Sequence, residues 1–281
     1  HRLGEVAEIA DDVTVLRDGR VIASGAATDF TEQRIIELMA GHSHAQPQRR
    51  TERGANGTEP VLSVQNLSMG NMVRNTSFSV FSGQITGVFG LIGSGRTEAA
   101  KVVAGVLKRD FFHGGQVRLN GQPVRYRVPQ PAVRDGIIYV TEDRKLEGFF
   151  ETMSIAENIH LGAIAGGQSS SATVSMKEMR SIATEWIAAL NVKAINADAR
   201  VIELSGGNQQ KVVVAKALVQ KPKLVIFDEP TRGVDVGAIA EIHQMINKLA
   251  DEGIAVMVIS SYLPEIMQLS DRILVCRQGR I

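Results

Sequence analysis

Cysteine is almost absent from this sequence: 281 residues carry one, Cys276. A lone cysteine has no partner within the chain, which excludes an internal disulfide framework and points to a reducing compartment. Cys276 lies in the apolar-flanked run "RILVCR", where core packing is its expected role. Long apolar runs are missing as well. The longest, such as "IAVMVI", fall far short of the roughly 20 residues a membrane helix needs. No charged-then-apolar leader opens the chain, so any membrane role goes through a partner. An excess of one charge is also lacking. The 31 Lys and Arg against 30 Asp and Glu leave +1, which argues against a strongly basic nucleic-acid surface. What remains, 44% hydrophobic and 22% charged, suffices for one large domain and part of another.

The chain does contain a repeat. Its opening "LGEVAEIADDVTVLRDGRV" lies on its close "LPEIMQLSDRILVCRQGRI" at a constant offset of 260 (Leu3 on Leu263). Leu3, Glu5, Asp11, Val15, Arg17, Gly19 and Arg20 meet identical residues. Such a period implies two tandem copies of one domain. The sequence opens inside this segment and stops at the same place one period later, so it reads as a fragment. Residues 1–40 are then the tail of a first copy, 41–59 an exposed linker without apolar periodicity, and 60–281 most of a second copy. His42 and His44 in the linker are too thin a motif for a metal site and read as solvated.

From Pro60 the pattern is strand-rich, then helical, then alternating. "VLSVQNL", "TSFSV" and "ITGVFG" read as strands, the last leading into a helix with Ala99, Ala100, Val103, Ala104 and Leu107 on one face. A helical insertion spans about 148–215, and in it Met179, Ile182, Trp186, Ile187 and Leu190 form an apolar stripe whose plain reading is core packing. "KLVIFDEP" and "IAVMVIS" have the β-branched density of buried parallel strands, separated by a helix around 239–249. The implied architecture is α/β, a three-layer nucleotide-binding core with a helical insertion.

Residues 90–97 read "GLIGSGRT", the spacing of a phosphate-binding loop, G-x-x-x-x-G-K-[ST], with Arg96 where lysine is expected. Gly90, Gly93 and Gly95 permit a tight turn that aims N–H groups at phosphate oxygens, and the helix behind adds about half a positive charge. Thr97 would offer its hydroxyl to Mg²⁺. Alone, a tight strand-to-helix turn explains this stretch equally well. In "KLVIFDEP", Asp228 ends a buried strand, where a carboxylate can hold Mg²⁺ through water, and Glu229 beside it can polarise an attacking water. An acidic pair there also fits a cap or turn. "ELSGGNQQKVVVAKAL" puts Ser205, Gly206 and Gly207 at the start of an amphipathic helix, which by itself also fits an ordinary serine cap. The order of loop, LSGG and D-E-P is far more specific than any member.

Together these stretches resemble the ATP-binding cassette (ABC) ATPases. "LSGGNQQK" is similar to their signature motif, "LVIFDEP" to their Walker B strand and "TRGVDVGA" to the D-loop region after it. The likeness runs over nearly the whole chain. The wording "GLIGSGRTE", "VTEDRKLEG", "FDEPTRGVDVGA" and "SSYLPEI" resembles the second half of the double-cassette ATPases that energise bacterial importers of monosaccharides and related polyols. The resemblance implies a P-loop NTPase (RecA-like) core with an antiparallel β subdomain and an α-helical subdomain, 1–40 being the tail of a first cassette and 60–281 the second. It implies ATP and Mg²⁺, with Gly90, Gly93, Ser94, Gly95, Arg96, Thr97, Glu142 and Asp228 binding nucleotide and Thr97 and Asp228 holding the metal. It makes Leu204, Ser205, Gly206, Gly207, Asn208 and Gln209 the signature motif, and Glu229 and His1 catalytic. The implied partners are transmembrane permease subunits, a sugar-binding protein reached through them, and the first cassette of the same full-length chain, with no nucleic acid. The implied location is peripheral, at the cytoplasmic face of the inner (plasma) membrane.

The second cassette departs from the family's pattern in four places. Arg96 replaces the lysine and, as a planar fork, cannot reproduce its point contact. Glu142 stands where many cassettes have the Q-loop glutamine, Ser261 aligns with His1, the switch histidine of the first half, and Met69 and Gly70 bring no aromatic ring for adenine. This site is expected to bind nucleotide and hydrolyse it poorly, if at all. Cassettes of the family work as head-to-tail pairs, so LSGG here is expected to serve the first cassette's nucleotide together with His1. Residues 142–148 and "FFETMSIAENI" are expected to meet a permease helix, plain core being the alternative for Phe149 and Phe150. Two other classes stay open. A soluble double-cassette protein acting on ribosomes or DNA would carry a longer, charged interdomain helix than this linker, and a degenerate cassette can also be a non-catalytic interaction module.

Overall fold

The apolar runs of the second half form the middle of a five-stranded parallel sheet. The computed structural model describes residues 3–17, 19–40, 59–168 and 175–281, so the expected linker lies outside the described residues but for Glu59. The amino-terminal part is α1 (Leu3–Ile9), the antiparallel pair β1 (Asp12–Arg17) and β2 (Arg20–Ala26), and α2 (Glu32–Ala40). Next come β3 (Leu62–Met69), β4 (Val73–Val80), β5 (Ile85–Phe89), α3 (Arg96–Val103), β6 (Gln116–Leu119), β7 (Gln122–Val124), α4 (Pro129–Asp135) and β8 (Ile137–Val140). The helices α5 (Ile155–Ala165), α6 (Met176–Ala189) and α7 (Gly206–Leu218) follow, then β9 (Leu224–Asp228), α8 (Val236–Asp251), β10 (Ala255–Ser260), α9 (Leu263–Leu269) and β11 (Arg272–Val275).

The parallel strands lie in the order β11-β5-β10-β9-β8. Along β9 the period of two sends Val225 and Phe227 to one face with Val140, Val256 and Val258, and Leu224 and Ile226 to the other with Ile137 and Met257. Residues of α5, α7, α8 and α9 cover the first face, while α3 and the antiparallel sheet β4-β3-β6-β7 cover the second. Burial on both faces is what a β-branched run without polar alternation requires. The expected α/β class is therefore present, a three-layer core with an antiparallel β sheet and a helical insertion. In that insertion Met179 is buried, and Ile182, Trp186, Ile187 and Leu190 pack half-buried on the same core as α5 and α7.

The structure differs from expectation at short elements. α3 stops at Val103 and leaves Leu107 outside it. Gly105 takes φ +75° and a Cβ there would lie 2.6 Å from the Val128 carbonyl, so the chain turns sharply where periodicity alone would continue the helix. β6, β7, α4 and β8, of three to seven residues each, have no counterpart in the sequence reading. The repeated segments fold alike locally, α1 matching α9 and β1 matching β11, yet with different partners. β11 joins the parallel sheet beside β5, whereas β1 pairs with β2 over a small core of Val13, Val15 and Ile35.

Candidate nucleotide site and signature helix

The loop from β5 to α3 needs its glycines for two reasons. Gly93 and Gly95 have φ of +80° and +91°, a region open chiefly to glycine. Gly90 and Gly95 are where other segments press in: a Cβ would lie 2.7 Å from the Cys276 carbonyl at Gly90 and 3.1 Å from Gly279 Cα at Gly95. Ser94 is braced from the same side, its carbonyl accepting from the Gly279 N–H at 2.7 Å and from the Cys276 thiol at 3.1 Å. Burial raises the Cys276 pKa, so the thiol stays a neutral donor in the core, the role expected of it.

Next to this loop, Asp228 ends β9 fully buried. Its Oδ1 accepts from the Thr97 hydroxyl at 3.2 Å and its Oδ2 from the Tyr139 hydroxyl at 2.6 Å. Burial raises the Asp228 pKa, and the two hydroxyl donors act against that rise. Burial, with Asp228 adjacent, raises the Tyr139 phenol, which remains protonated and donating. Among the described residues no group of three or more His, Cys, Asp or Glu forms a metal cage. The Thr97 and Asp228 oxygens nevertheless suit Mg²⁺, which takes few protein ligands and completes its shell with water and phosphate oxygens. Ser94 Oγ and Arg96 Nε are buried without hydrogen-bond partners, and a Cβ at Gly93 would meet nothing within 4 Å. Orphaned polar atoms around an open turn fit a phosphate group.

Arg96 is turned inward and 6% exposed. Its Nη1 donates to the Gly90 carbonyl, and its Nη2 reaches Glu229 Oε1 at 2.6 Å. The same glutamate oxygen accepts the Ser261 N–H at 2.8 Å. Glu229 holds φ +47°, with its own N–H on the Ile259 carbonyl at 2.8 Å. The carboxylate expected to polarise water is thus neutralised by the residue that stands in for the lysine. Glu142 is directed elsewhere and pairs with Arg232. No hydrogen bond or ion pair joins it to 90–97 or Asp228 among the described residues. At the position without an aromatic ring, the Gly70 N–H donates to both Asp110 oxygens, at 3.0 and 3.2 Å. His1 lies outside the described residues.

Residues 204–209 lead into α7. Ser205 is the N-cap, but its hydroxyl accepts from the Asn208 side chain at 2.9 Å and caps no backbone N–H. Asn208 Oδ1 in turn accepts the Lys193 N–H at 2.8 Å. α7 is not the amphipathic helix expected, because even Gln209, Gln210 and Lys211 are buried. Gly207 abuts Ala238, and a Cβ at Gly206 would lie 2.8 Å from Arg144 Nη2 and 3.0 Å from the Gly233 carbonyl. The first turn holds no acidic residue, which leaves the positive end of the helix open to an anion. Among the described residues, no hydrogen bond or ion pair joins 204–209 to 90–97. Tyr139 escapes sequence reading, its one signal a polar tip inside the run "IIYV", and Arg144 stands out only as part of "VTEDRKLEG", with no role of its own.

Residues 73–232 match the ABC transporter family. The whole chain is 41% identical to the ribose import ATP-binding protein RbsA of Caldanaerobacter subterraneus subsp. tengcongensis, covering 56% of it. It is 42% identical to the ribose import ATP-binding protein RbsA 3 of Rubrobacter xylanophilus, covering 55%. The chain thus spans about half the length of the curated relatives it matches. In fold it is similar to a nucleotide-free ATP-binding cassette from an ABC transporter, with a TM-score of 0.68 and 23% identity over 79% of this chain and 90% of that one. A second ATP-binding cassette of an ABC transporter gives a TM-score of 0.68 and 26% identity over 80% and 90%. By sequence and by fold alike, the chain belongs to the ABC transporter family.

Proposed function

We propose that the chain is the second cassette, with the tail of a first, of an ATPase that drives import of a monosaccharide or related polyol through a membrane permease. Its identity to ribose import ATP-binding proteins supports the import reading over a ribosomal or DNA-bound ATPase. Its own loop is the weak site of the pair, and the Arg96–Glu229 ion pair at 2.6 Å carries that conclusion. The pair occupies both the cation of the loop and the carboxylate placed to polarise water. Mg²⁺, when bound with ATP, would supply positive charge against the phosphates. Thr97 and Asp228 would hold that ion, while Gly90, Gly93, Ser94 and Gly95 supply the turn and Arg96 its charge. Residues 204–209 present a helix N-terminus to a phosphate held by the first cassette, where His1 completes the site. Among the described residues no helix is long and apolar enough to cross a membrane. The likeness to import ATP-binding proteins supports a place at the cytoplasmic face by way of the permease, with a sugar-binding protein reached through it.

The permease contact has a place in this arrangement. A groove of about 270 Å³ is lined by Val106, Tyr139, Glu147, Gly148, Val213 and Lys216. Next to it Leu146 is 83% and Phe150 53% exposed, whereas Phe149 is buried, so of the two phenylalanines one is core and one is surface. Lys216 donates to the Gly148 carbonyl at 3.0 Å and lies 5.3 Å from the Phe150 ring centre. The groove is the site for a short cytoplasmic helix of the permease. In an assembled complex Leu146→Cys and Phe150→Cys are expected to cross-link to the permease and Phe149→Cys is not; no adduct from either exposed position removes the contact.

A further inference from the structure

Arg144, which lies in the family-like stretch "VTEDRKLEG" with no role of its own assigned, opens the π-helical turn Arg144–Gly148 after β8. Its guanidinium joins three segments distant in sequence. Nη1 donates to the Arg232 carbonyl at 2.8 Å, Nη2 to the Gly233 carbonyl at 2.9 Å, and Nε to Gln209 Oε1 at 3.4 Å. Gln209 is buried and in turn donates to the Leu204 carbonyl at 3.0 Å. Two glycines make room: Gly233 takes φ +65°, and Gly206 lacks the Cβ that would meet Nη2 at 2.8 Å. Helix energetics do not account for this placement. The first turn of α7 has no acidic residue, and a cation beside the positive end of a helix dipole is unfavourable.

We propose that Arg144 is a positioning residue that fixes the start of the signature helix against the D-loop region and the 142–148 turn. The three segments then move as one unit, and the N–H groups at 205–209 keep the aim that a facing phosphate needs. The aim toward phosphate rests on the functional reading above; the tether does not.

Hydrogen exchange on the 281-residue chain tests the tether by itself. Arg144→Ala is expected to speed amide exchange at 205–209 and 232–235 about tenfold, the scale of losing charge-assisted bonds, with β9 and β10 unchanged. Arg144→Lys, a point charge that cannot serve two carbonyls and an amide together, is expected to exchange fast at the same places. It carries the test if the alanine variant does not fold. Wild-type exchange at both segments, or equal acceleration in β9 and β10, overturns the proposal. In the full-length protein Arg144→Lys is expected to lower kcat about tenfold with KM for ATP within about twofold. Accelerated exchange with an unchanged kcat would keep the tether and remove its phosphate-aiming role.

Discussion

Gly206→Leu in the full-length protein is expected to lower ATP turnover about a hundredfold, roughly 3 kcal/mol, the scale of losing one preorganised donor to developing charge. The site has no room for a side chain. A Cβ alone would lie 2.8 Å from Arg144 Nη2 and 3.0 Å from the Gly233 carbonyl, so leucine must either push the D-loop region away or project into the space before the helix N-terminus. Both outcomes spoil the approach of a phosphate held by the facing cassette. A bulky replacement of Ser205 acts in the same direction, since its hydroxyl is already fixed by Asn208 at 2.9 Å. Nucleotide occupancy at the loop of this chain is expected to stay as it was, because no hydrogen bond or ion pair links 204–209 to 90–97 among the described residues. Steady-state ATPase and transport in the reconstituted complex, with nucleotide counted per complex, check both halves. Undiminished turnover would mean that this signature motif serves no working site.

Arg96→Ala is expected to act on stability and nucleotide retention more than on turnover. The substitution strands Glu229, whose side chain is 10% exposed, without its cation. Removing one partner of a buried ion pair costs about 3 kcal/mol, because the other charge stays desolvated and uncompensated. The double variant Arg96→Ala/Glu229→Gln leaves no unpaired charge and is expected to recover most of that loss in the denaturant midpoint. Arg96→Lys is not expected to create a second active site. The Ser261 N–H still holds Glu229 at 2.8 Å, and Ser261 takes the place of His1 one repeat later. If Arg96→Ala abolished hydrolysis while Gly206→Leu left it intact, the working and regulatory sites would be reversed.

The middle of the parallel core was legible because β9 and β10 are unbroken apolar runs rich in β-branched residues, as "KLVIFDEP" shows for β9. The region 107–147 was not. β6 exists through its pairing with β3 and β7, and β7 has three residues, so tertiary partners decide what local pattern cannot. α7 looked amphipathic, yet it packs against α5, α6, α8 and β8, and its polar residues are spent on internal bonds such as Lys211 Nζ to the Asn191 carbonyl at 2.8 Å. In the site, spacing was enough to bring Thr97 to Asp228, because loop and strand each carry a motif. Arg96 and Glu229 read as two separate features, and only the fold shows one ion pair across 133 residues. Arg144 carried only the signal of its stretch, "VTEDRKLEG", since its own role lies in which carbonyls it reaches and not in any spacing along the chain.

Turnover per chain tests the division of labour most directly. The 281-residue chain and the full-length protein are compared by steady-state phosphate release at saturating Mg-ATP. The 281-residue chain is expected to turn over at least about a hundredfold more slowly, because the cation of its loop and the candidate base after β9 neutralise each other and its signature motif has no competent loop to face. Equal turnover per chain would contradict the asymmetric pair.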